Sequence, residues 1–536
     1  MRTKNYKILN DCRGMYEEDI IDTIIKTRGI DDPEEFLHPT EHYMLPLDSL
    51  KNIDRAAERL KTAIDNSELI SVLWDSDCDG ISSGAIITRY INQIVESSIV
   101  EPYIDQGKQH GLKDQDISEF YETDLLIIVD SLDKDAAEYK DLAEHGVDII
   151  ILDHHAIKSD IPYDDYAILV SSQRDYDNPA LSGSGVTWKF CKYFDKKYGY
   201  QYADQLMDLC ACGLVGDMMD MTNMENRYLV YQGMQKIYNP AVKKIVGSFP
   251  FNSTAIAFSI APLINAANRI SKNKDAMMAF LADENKEVLA YVRTLKKCKE
   301  LQNEEVDRLL PNVFEQCEKQ IQKKMIVVFV DTPYGIAGLI GNKLLEKYKR
   351  PILVLKDTTD SYSGSMRATG IDDFRAFCNE SGLAESDGHE LAAGIQIKKE
   401  NFDAFISYVE ENLPELSTEK LVTVDAQIEV ADITRKLTDL VKEVDFVSGT
   451  GFKGLRFYIN DIDEYEIGQM SDYKHLVIKP NDCLQVIKWN FDGDFEVMEE
   501  HSMLNDPVET VVSLDNGWLG RRFVLKAICD EIEVKE

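Results

Sequence analysis

The sequence predicts a multidomain α/β protein: a parallel-sheet domain, long connecting helices, a smaller α/β domain and a C-terminal β-barrel. Three observations predict it. Apolar strand-like runs alternate with helix-like stretches between residues 69 and 170, the pattern of a doubly wound sheet. Residues 275–323 are rich in Lys, Glu, Leu and Gln and contain no glycine, a composition suited to long helices. The tail from Leu421 is strand-dominated, with Trp489, Phe491, Phe495, Trp518 and Phe523 among alternating residues, as in a small barrel.

Taken in order, residues 1–68 read as helices and turns. Asp32-Pro33-Glu34-Glu35 supplies a cap, a proline in the first turn and acids after it. A second helix is expected over 53–64, with Ala56, Leu60, Ala63 and Ile64 on one stripe. Strands are expected near 69–74, 98–104, 124–129, 148–152 and 167–170, with helices over 84–95 and 135–145 between them. Gly183-Ser184-Gly185 opens another helix, and the apolar stretch 206–215 ends at Gly216-Asp217. Pro311 is expected to divide 275–323 into a long helix and a second one. The run Met325–Val330 starts a smaller α/β unit that ends near 415.

Composition narrows the class. A chain of 536 residues exceeds one ordinary core, and about three domains are expected. With 44% hydrophobic and 29% charged residues it reads as soluble and globular. No 18-residue apolar run and no signal-like leader is present, so a cytoplasmic protein without membrane contact is expected. Ten cysteines are scattered, with only Cys210 and Cys212 close together; buried thiols in a reducing compartment are the expectation. The formal charge of −36 opposes polynucleotide binding in general, although a local basic channel with divalent cations can still hold a phosphate backbone.

The chemistry sits at strand ends. Asp75, Asp77 and Asp79, followed by Gly80, come after the apolar run 69–74; Asp130 closes Leu125–Val129; Asp153-His154-His155 follows Val147–Leu152; and Asp217 ends the stretch 206–216. Open α/β sheets bind ligands beyond the carboxyl ends of their strands. Carboxylates with imidazole and no thiolate pair suit hard divalent ions such as Mn²⁺ or Mg²⁺, and two such ions suit phosphodiester hydrolysis. An EF-hand is excluded, because Ile86 stands where the bidentate Glu is needed and a strand precedes the loop. A solvated acidic turn accounts for one such motif but poorly for four in succession. Gly80 is expected to give the loop the freedom to curl.

These motifs resemble the DHH phosphoesterases, and the rest of the chain narrows the resemblance to the RecJ single-strand exonucleases. Leu263-Ile264-Asn265-Ala266-Ala267-Asn268-Arg269 is similar to the family's Arg-Ile-Asn-Ala-Ala-Gly-Arg segment. Gly338-Leu339-Ile340-Gly341, Ser363-Gly364-Ser365-Met366-Arg367 and Gly388-His389-Glu390-Leu391-Ala392-Ala393-Gly394 resemble the DHH-associated domain. The resemblance implies a helical lead-in over 1–68, a DHH domain over 69–274, connecting helices over 275–323, a DHH-associated domain over 324–415 and an OB-like nucleic-acid-binding barrel over 416–536. It implies two Mn²⁺ ions, Mg²⁺ being the alternative, on Asp75, Asp77, Asp79, Asp130, His154 and Asp217. His155, Asp130 and Arg269 are implied as catalytic, and Asn265, Ser363, Arg367, Gly388 and His389 as substrate-binding, with Arg269, Arg367 and His389 reaching the phosphates from across a cleft. In the tail, Trp489, Phe491, Trp518, Arg521 and Arg522 are candidates for contacting single strands. The chain departs from the family pattern at Asp105–Leu112, which holds Lys108 but no arginine, and at Asp387, where the family has a glycine.

The expected function is metal-dependent, 5′-to-3′ hydrolysis of single-stranded DNA to mononucleotides by a monomer, with single-strand-binding or helicase proteins as further partners. Two alternatives stand beside it: a DHH phosphodiesterase acting on short oligonucleotides or cyclic dinucleotides, and a non-catalytic binding subunit of a replication or repair assembly. Retention of the whole expected ligand set weighs against the last.

Overall fold

The structure, a computed structural model, describes residues 6–95, 99–104, 111–113, 115–133, 136–158, 161–414, 422–470, 474–491, 493–519 and 522–534. The chain forms two compact units. One is drawn from Met1–Ala261, Phe280–Asp283 and Leu421–Glu536, the other from Pro262–Ala279 and Glu284–Lys420. No helix among the described residues is long and apolar enough to cross a membrane.

In the first unit, five parallel strands run in the spatial order Val100–Ile104, Ile70–Trp74, Leu125–Val129, Asp148–Asp153, Ile168–Ser171. Leu125–Val129 and Ile70–Trp74 are buried along their whole length, which explains why they are continuous rather than alternating apolar runs. The order departs from chain order at Ile70–Trp74, where one connection goes to each side. That switch point lies between Ile70–Trp74 and Leu125–Val129, the place beyond the strand ends where open α/β sheets bind their ligands. Asp75, Asp77, Asp79 and Asp130 follow these two strands directly. The helix Cys78–Ile94 packs closely on the sheet: a Cβ on Gly84 would lie 1.9 Å from the Trp74 ring.

The same unit holds an eight-stranded mixed sheet, ordered Tyr6–Asp11, Val422–Gln427, Phe457–Ile462, Val508–Leu519, Arg522–Val534, Leu484–Lys488, His475–Lys479, Glu466–Met470. Two expectations change here. Tyr6–Asp11 is a strand, parallel to Val422–Gln427, in a region read as helices and turns; its partner is some 400 residues away, beyond the reach of local periodicity. The expected C-terminal barrel is not confirmed: its strands belong to this sheet, and no pairing among the described residues joins the first and last strands. The helix Arg435–Asp445 covers part of it, with Lys442 Nζ on the Asn516 carbonyl (2.6 Å) and Asn516 Nδ2 on Asp439 (2.7 Å). The N-terminal segment is fastened by Arg28, bidentate on Asp425 at 2.8 and 2.7 Å. Arg227 fastens it too, its guanidinium 3.6 Å from the Phe36 ring centroid and bonded to the carbonyl of Val447.

The second unit carries a five-stranded sheet ordered Ala384–His389, Ala392–Lys398, Ser361–Arg367, Ile352–Asp357, Ile326–Phe329, antiparallel except for the last pair. The helix Asn285–Glu318 runs through Pro311 unbroken. The break expected at Pro311 falls earlier, between the helices Asn273–Leu281 and Asn285–Glu318. A buried stripe that includes Val306, Val313 and Cys317 holds the last turns in place despite the hydrogen bond a proline removes. Ile326–Phe329 is an edge strand, and two glutamines finish it. Gln316 pairs with the N–H and C=O of Phe329 at 2.9 and 3.0 Å, and Gln320 pairs with those of Val327 at 3.2 and 2.7 Å.

Candidate metal centre and phosphate-binding residues

Asp77 caps the helix Cys78–Ile94: its Oδ1 accepts the N–H groups of Asp79 (2.9 Å) and Gly80 (3.0 Å). Asp75 Oδ2 accepts the Asp77 N–H at 3.4 Å. The turn is therefore a helix start, and Gly80 serves a different purpose from the expected one. It lies in the helix, and a Cβ there would sit 2.5 Å from the backbone of Asp75, so the glycine permits close approach rather than an unusual dihedral.

Asp79 is almost fully buried, and three donors from one helix start hold it. Ser182 Oγ (3.0 Å), Gly183 N (2.7 Å) and Ser184 N (3.1 Å) all bond its carboxylate. Asp130 adopts a left-handed backbone, φ +56°, a conformation that Asp and Asn tolerate better than most residues. It is 2% exposed, and its Oδ1 has no hydrogen-bond donor. His154 Nε2 stands 3.2 Å from Asp130 Oδ1, 3.5 Å from Asp217 Oδ2 and 3.9 Å from Asp79 Oδ2. His155 is turned by Asp153, whose two oxygens take its backbone N–H (2.5 Å) and ring Nδ1 (3.1 Å).

Three overlapping groups therefore offer ligand atoms within 4.8 Å of one another: Asp130, His154 and His155; Asp79, His154 and Asp217; and Asp75, Asp77 and Asp130. Burial pushes the Asp130 carboxyl well above the usual range, and Asp79, Asp77 and Asp75 add to it. Burial, with Asp79 and Asp77, raises Asp217 to about 8. Asp153 raises His155 to about 9. Asp153 stays low in spite of its burial, because His155 and His154 lie beside it. So many acids forced together repel one another, and a hard cation relieves that repulsion. The buried, undonated Oδ1 of Asp130 and the oxygen-rich donor set fit divalent metal ions.

The remaining predicted residues of the site lie in the second unit. Arg269 and Arg367 lie along the helix Tyr334–Tyr348. A Cβ on Gly335 would be 2.5 Å from Arg269 Cγ, and one on Gly338 would be 2.6 Å from an Arg367 Nη. Gln302 accepts from Arg269 at 3.1 Å, while Asn342 (2.8 Å) and Ser365 Oγ (2.6 Å) accept from Arg367. Asn265 lies one turn before Arg269 on the helix Ala261–Arg269, its Oδ1 buried without a donor. Ser363 meets the Tyr334 hydroxyl. His389 pairs with Ala392, and Ala392 with Arg367, so His389 and Arg367 share a cross-strand row two strands apart and project from the same face. Gly388, at φ +129°, precedes His389 on that exposed strand. Of the tail candidates, Trp489 and Trp518 are exposed, Trp518 packing edge-on to Phe523. Phe491 packs edge-on to Phe495, and Arg522 donates to the Asp482 carbonyl. The residues Asp105–His110, with Lys108, and Arg521 lie outside the described residues.

Sequence reasoning missed the supports. Ser182, Gly183 and Ser184 position Asp79, and Gly213 admits it, since a Cβ there would stand 2.1 Å from Asp79 Oδ1. The run of small residues 182–185 was the available signal, and it read only as a helix start.

The N-terminal domain of the DHH family matches residues 69–214. A Bacillus subtilis protein named as an SPbeta prophage-derived single-strand DNA-specific exonuclease, YorK, is 32% identical over 462 residues, covering 79% of each chain. The chain belongs to the RecJ-like exonucleases of the DHH family. Such an enzyme shares its fold with RecJ of Thermus thermophilus solved with Mn²⁺, at TM-score 0.78 and 21% identity over 100% of this chain and 80% of that one. The Mg²⁺ complex of RecJ from the same organism gives TM-score 0.72 and 20% identity, covering 99% and 79%. As a RecJ-like exonuclease, the chain carries its acidic cluster at the switch point of the DHH sheet.

Proposed function

We propose that this exonuclease degrades single-stranded DNA from 5′ to 3′, releases mononucleotides and depends on two divalent cations, Mn²⁺ by preference with Mg²⁺ as the alternative. The observation that carries the reading is the convergence of Asp75, Asp77, Asp79, Asp130, His154 and Asp217 from four chain segments into overlapping ligand groups, with the buried Asp130 Oδ1 left for a cation. Asp130 and His154 each belong to two of the groups, so both would help to hold the pair of ions. When bound, such ions polarise the phosphodiester and neutralise charge on the leaving oxygen.

The chain's own groups do the rest. His155, protonated beside Asp153, donates to the scissile phosphate or to the departing 3′ oxygen. Arg269 and Arg367 clamp phosphate oxygens with guanidinium forks. Asn265, Ser363 and His389 supply polar contacts to the strand, and Gly388 lets it approach the backbone. The functional division follows the lead-in 1–68, DHH domain 69–274, connecting helices 275–323, DHH-associated domain 324–415 and nucleic-acid-binding tail 416–536. The enzyme acts as a cytoplasmic monomer on strands delivered by helicase or single-strand-binding proteins.

The test is digestion of 5′-labelled and 3′-labelled single-stranded oligonucleotides with Mn²⁺. Early release of labelled mononucleotide from the 5′-labelled strand alone is expected. Release from the 3′ label first, or undiminished release by Asp130→Ala, overturns the reading.

A further inference from the structure

Cations are scarce in this chain, 59 Lys and Arg against 95 Asp and Glu, and many of the described ones sit on acids. Arg59, for example, meets Glu68 and Asp148, and Lys197 meets Asp54 and Glu58. In the second unit one pair of arginines is held differently. Arg269 and Arg367 are bonded to neutral partners: Gln302 for the former, and Asn342, Ser365 and the Met366 carbonyl for the latter. Lys299 lies on the helix Asn285–Glu318 one turn before Gln302, hence on the side that meets Arg269. Lys343 follows Asn342 on the helix Tyr334–Tyr348. The acid nearest Lys343 is Asp307, 3.9 Å away with both side chains more than half exposed, a weak pair. Lys299 has no ion pair among the described residues.

The four cations act on one another. Burial lowers the affinity of Lys299 for its proton, and Arg269 and Lys343 lower it further. Burial and then Arg269 do the same to Arg367. A partly buried group of like charges held by neutral side chains costs free energy unless an anion completes it. Two arginines suffice for one phosphate, and the lysines come from two different helices, Asn285–Glu318 and Tyr334–Tyr348.

Resting on the single-strand reading above, we infer that Lys299 and Lys343 extend the arginine clamp to a second phosphodiester, so that the strand is held at two consecutive phosphates. Neither lysine belongs to a motif that carries the family resemblance. The lysines bind as point charges and add affinity without reading sequence.

The experiment compares wild type with Lys299→Gln, Lys343→Gln and, as a control of equal charge change, Lys297→Gln, which lies on the same helix but pairs with Glu300 at 3.2 Å. Oligo(dT) affinity is measured by fluorescence anisotropy over a salt series, each protein carrying Asp130→Asn so that the strand is not consumed. Lys299→Gln and Lys343→Gln are each expected to weaken binding roughly three- to tenfold and to make the salt dependence shallower by about 0.7 in log–log slope. Lys297→Gln is expected to change neither. Inhibition of the turnover-competent proteins by dTMP, which offers a single phosphate, is expected to match wild type in the lysine variants. Equal affinity and slope in Lys299→Gln and wild type, an equal effect in Lys297→Gln, or weakened dTMP inhibition overturns the second-phosphate site. Failure of wild type to cleave oligo(dT) overturns the exonuclease reading instead, while the binding data still decide the role of the lysines.

Discussion

The two units solve opposite electrostatic problems by the same means. In the first, carboxylates crowd together at the ends of two strands; in the second, guanidinium and ammonium groups crowd along a glycine-lined helix. Neutral donors or acceptors do much of the holding in each: Ser182 and two backbone N–H groups for Asp79, Gln302 and Asn342 for the arginines. Like charges kept together without neutralisation are poised for a ligand of the opposite sign, cations in one unit and phosphate in the other. Their lability differs, however. The acidic group is buried and its repulsion is strong, whereas the basic group is partly exposed and screened by solvent.

The sharpest test of that contrast is Asp130→Asn. Asparagine tolerates the left-handed backbone, so the fold is expected to survive while activity falls by at least about a thousandfold. The chelated variant is expected to melt above chelated wild type, because a repelled carboxylate is gone. A lower melting temperature, read by calorimetry, contradicts stored repulsion at this residue. Next in size, Ser182→Ala removes one of three donors to Asp79 and is expected to weaken Mn²⁺ binding roughly ten- to hundredfold, as read by titration calorimetry. In the basic unit, Arg367→Lys keeps the charge but loses the fork held by Asn342 and Ser365; about a tenfold rise in KM with little change in kcat is expected.

Protons give a milder handle. Asp217 in the folded chain titrates near 8 instead of 3.8, and His155 near 9 instead of 6.5. Both raised values mean that the folded state binds more protons than the unfolded one in these ranges. Their contributions are present at low pH and lost as pH rises, through 8 for Asp217 and through 9 for His155. The chelated protein is therefore expected to lose several degrees of melting temperature as pH rises from about 6 to 9, and excess Mn²⁺ to flatten that decline. A melting temperature independent of pH in chelator argues against the crowding. The smallest effect concerns the helix end beside Asp217. Met218 stands at φ +58° and 71% exposed, with the N–H groups of Met218 and Met219 bonded to Val215 and Leu214, where glycine normally serves. Met218→Gly is expected to raise stability by about 1 kcal/mol in chemical denaturation, with activity retained.

The acidic site was readable along the chain because each ligand ends an apolar run, so strand periodicity located it before any contact was known. Arg269, Arg367 and His389 were reachable only through motif resemblance. Lys299 was not reachable at all, since it is one lysine among many on a charged helix and its distinction is its partial burial near Arg269 and Lys343. The strand Tyr6–Asp11 was hidden for a related reason: its partner Val422–Gln427 comes near the other end of the chain. Pro311 misled in the opposite sense, a strong local signal overruled by the buried stripe of its helix.

Gln316 and Gln320 carry a consequence beyond the site. By taking both backbone groups of Phe329 and of Val327, their side-chain amides imitate a neighbouring strand and leave that margin nothing to offer another molecule. The open margin of the sheet is thus closed to edge-to-edge pairing by two neutral residues, without adding to an already large negative charge.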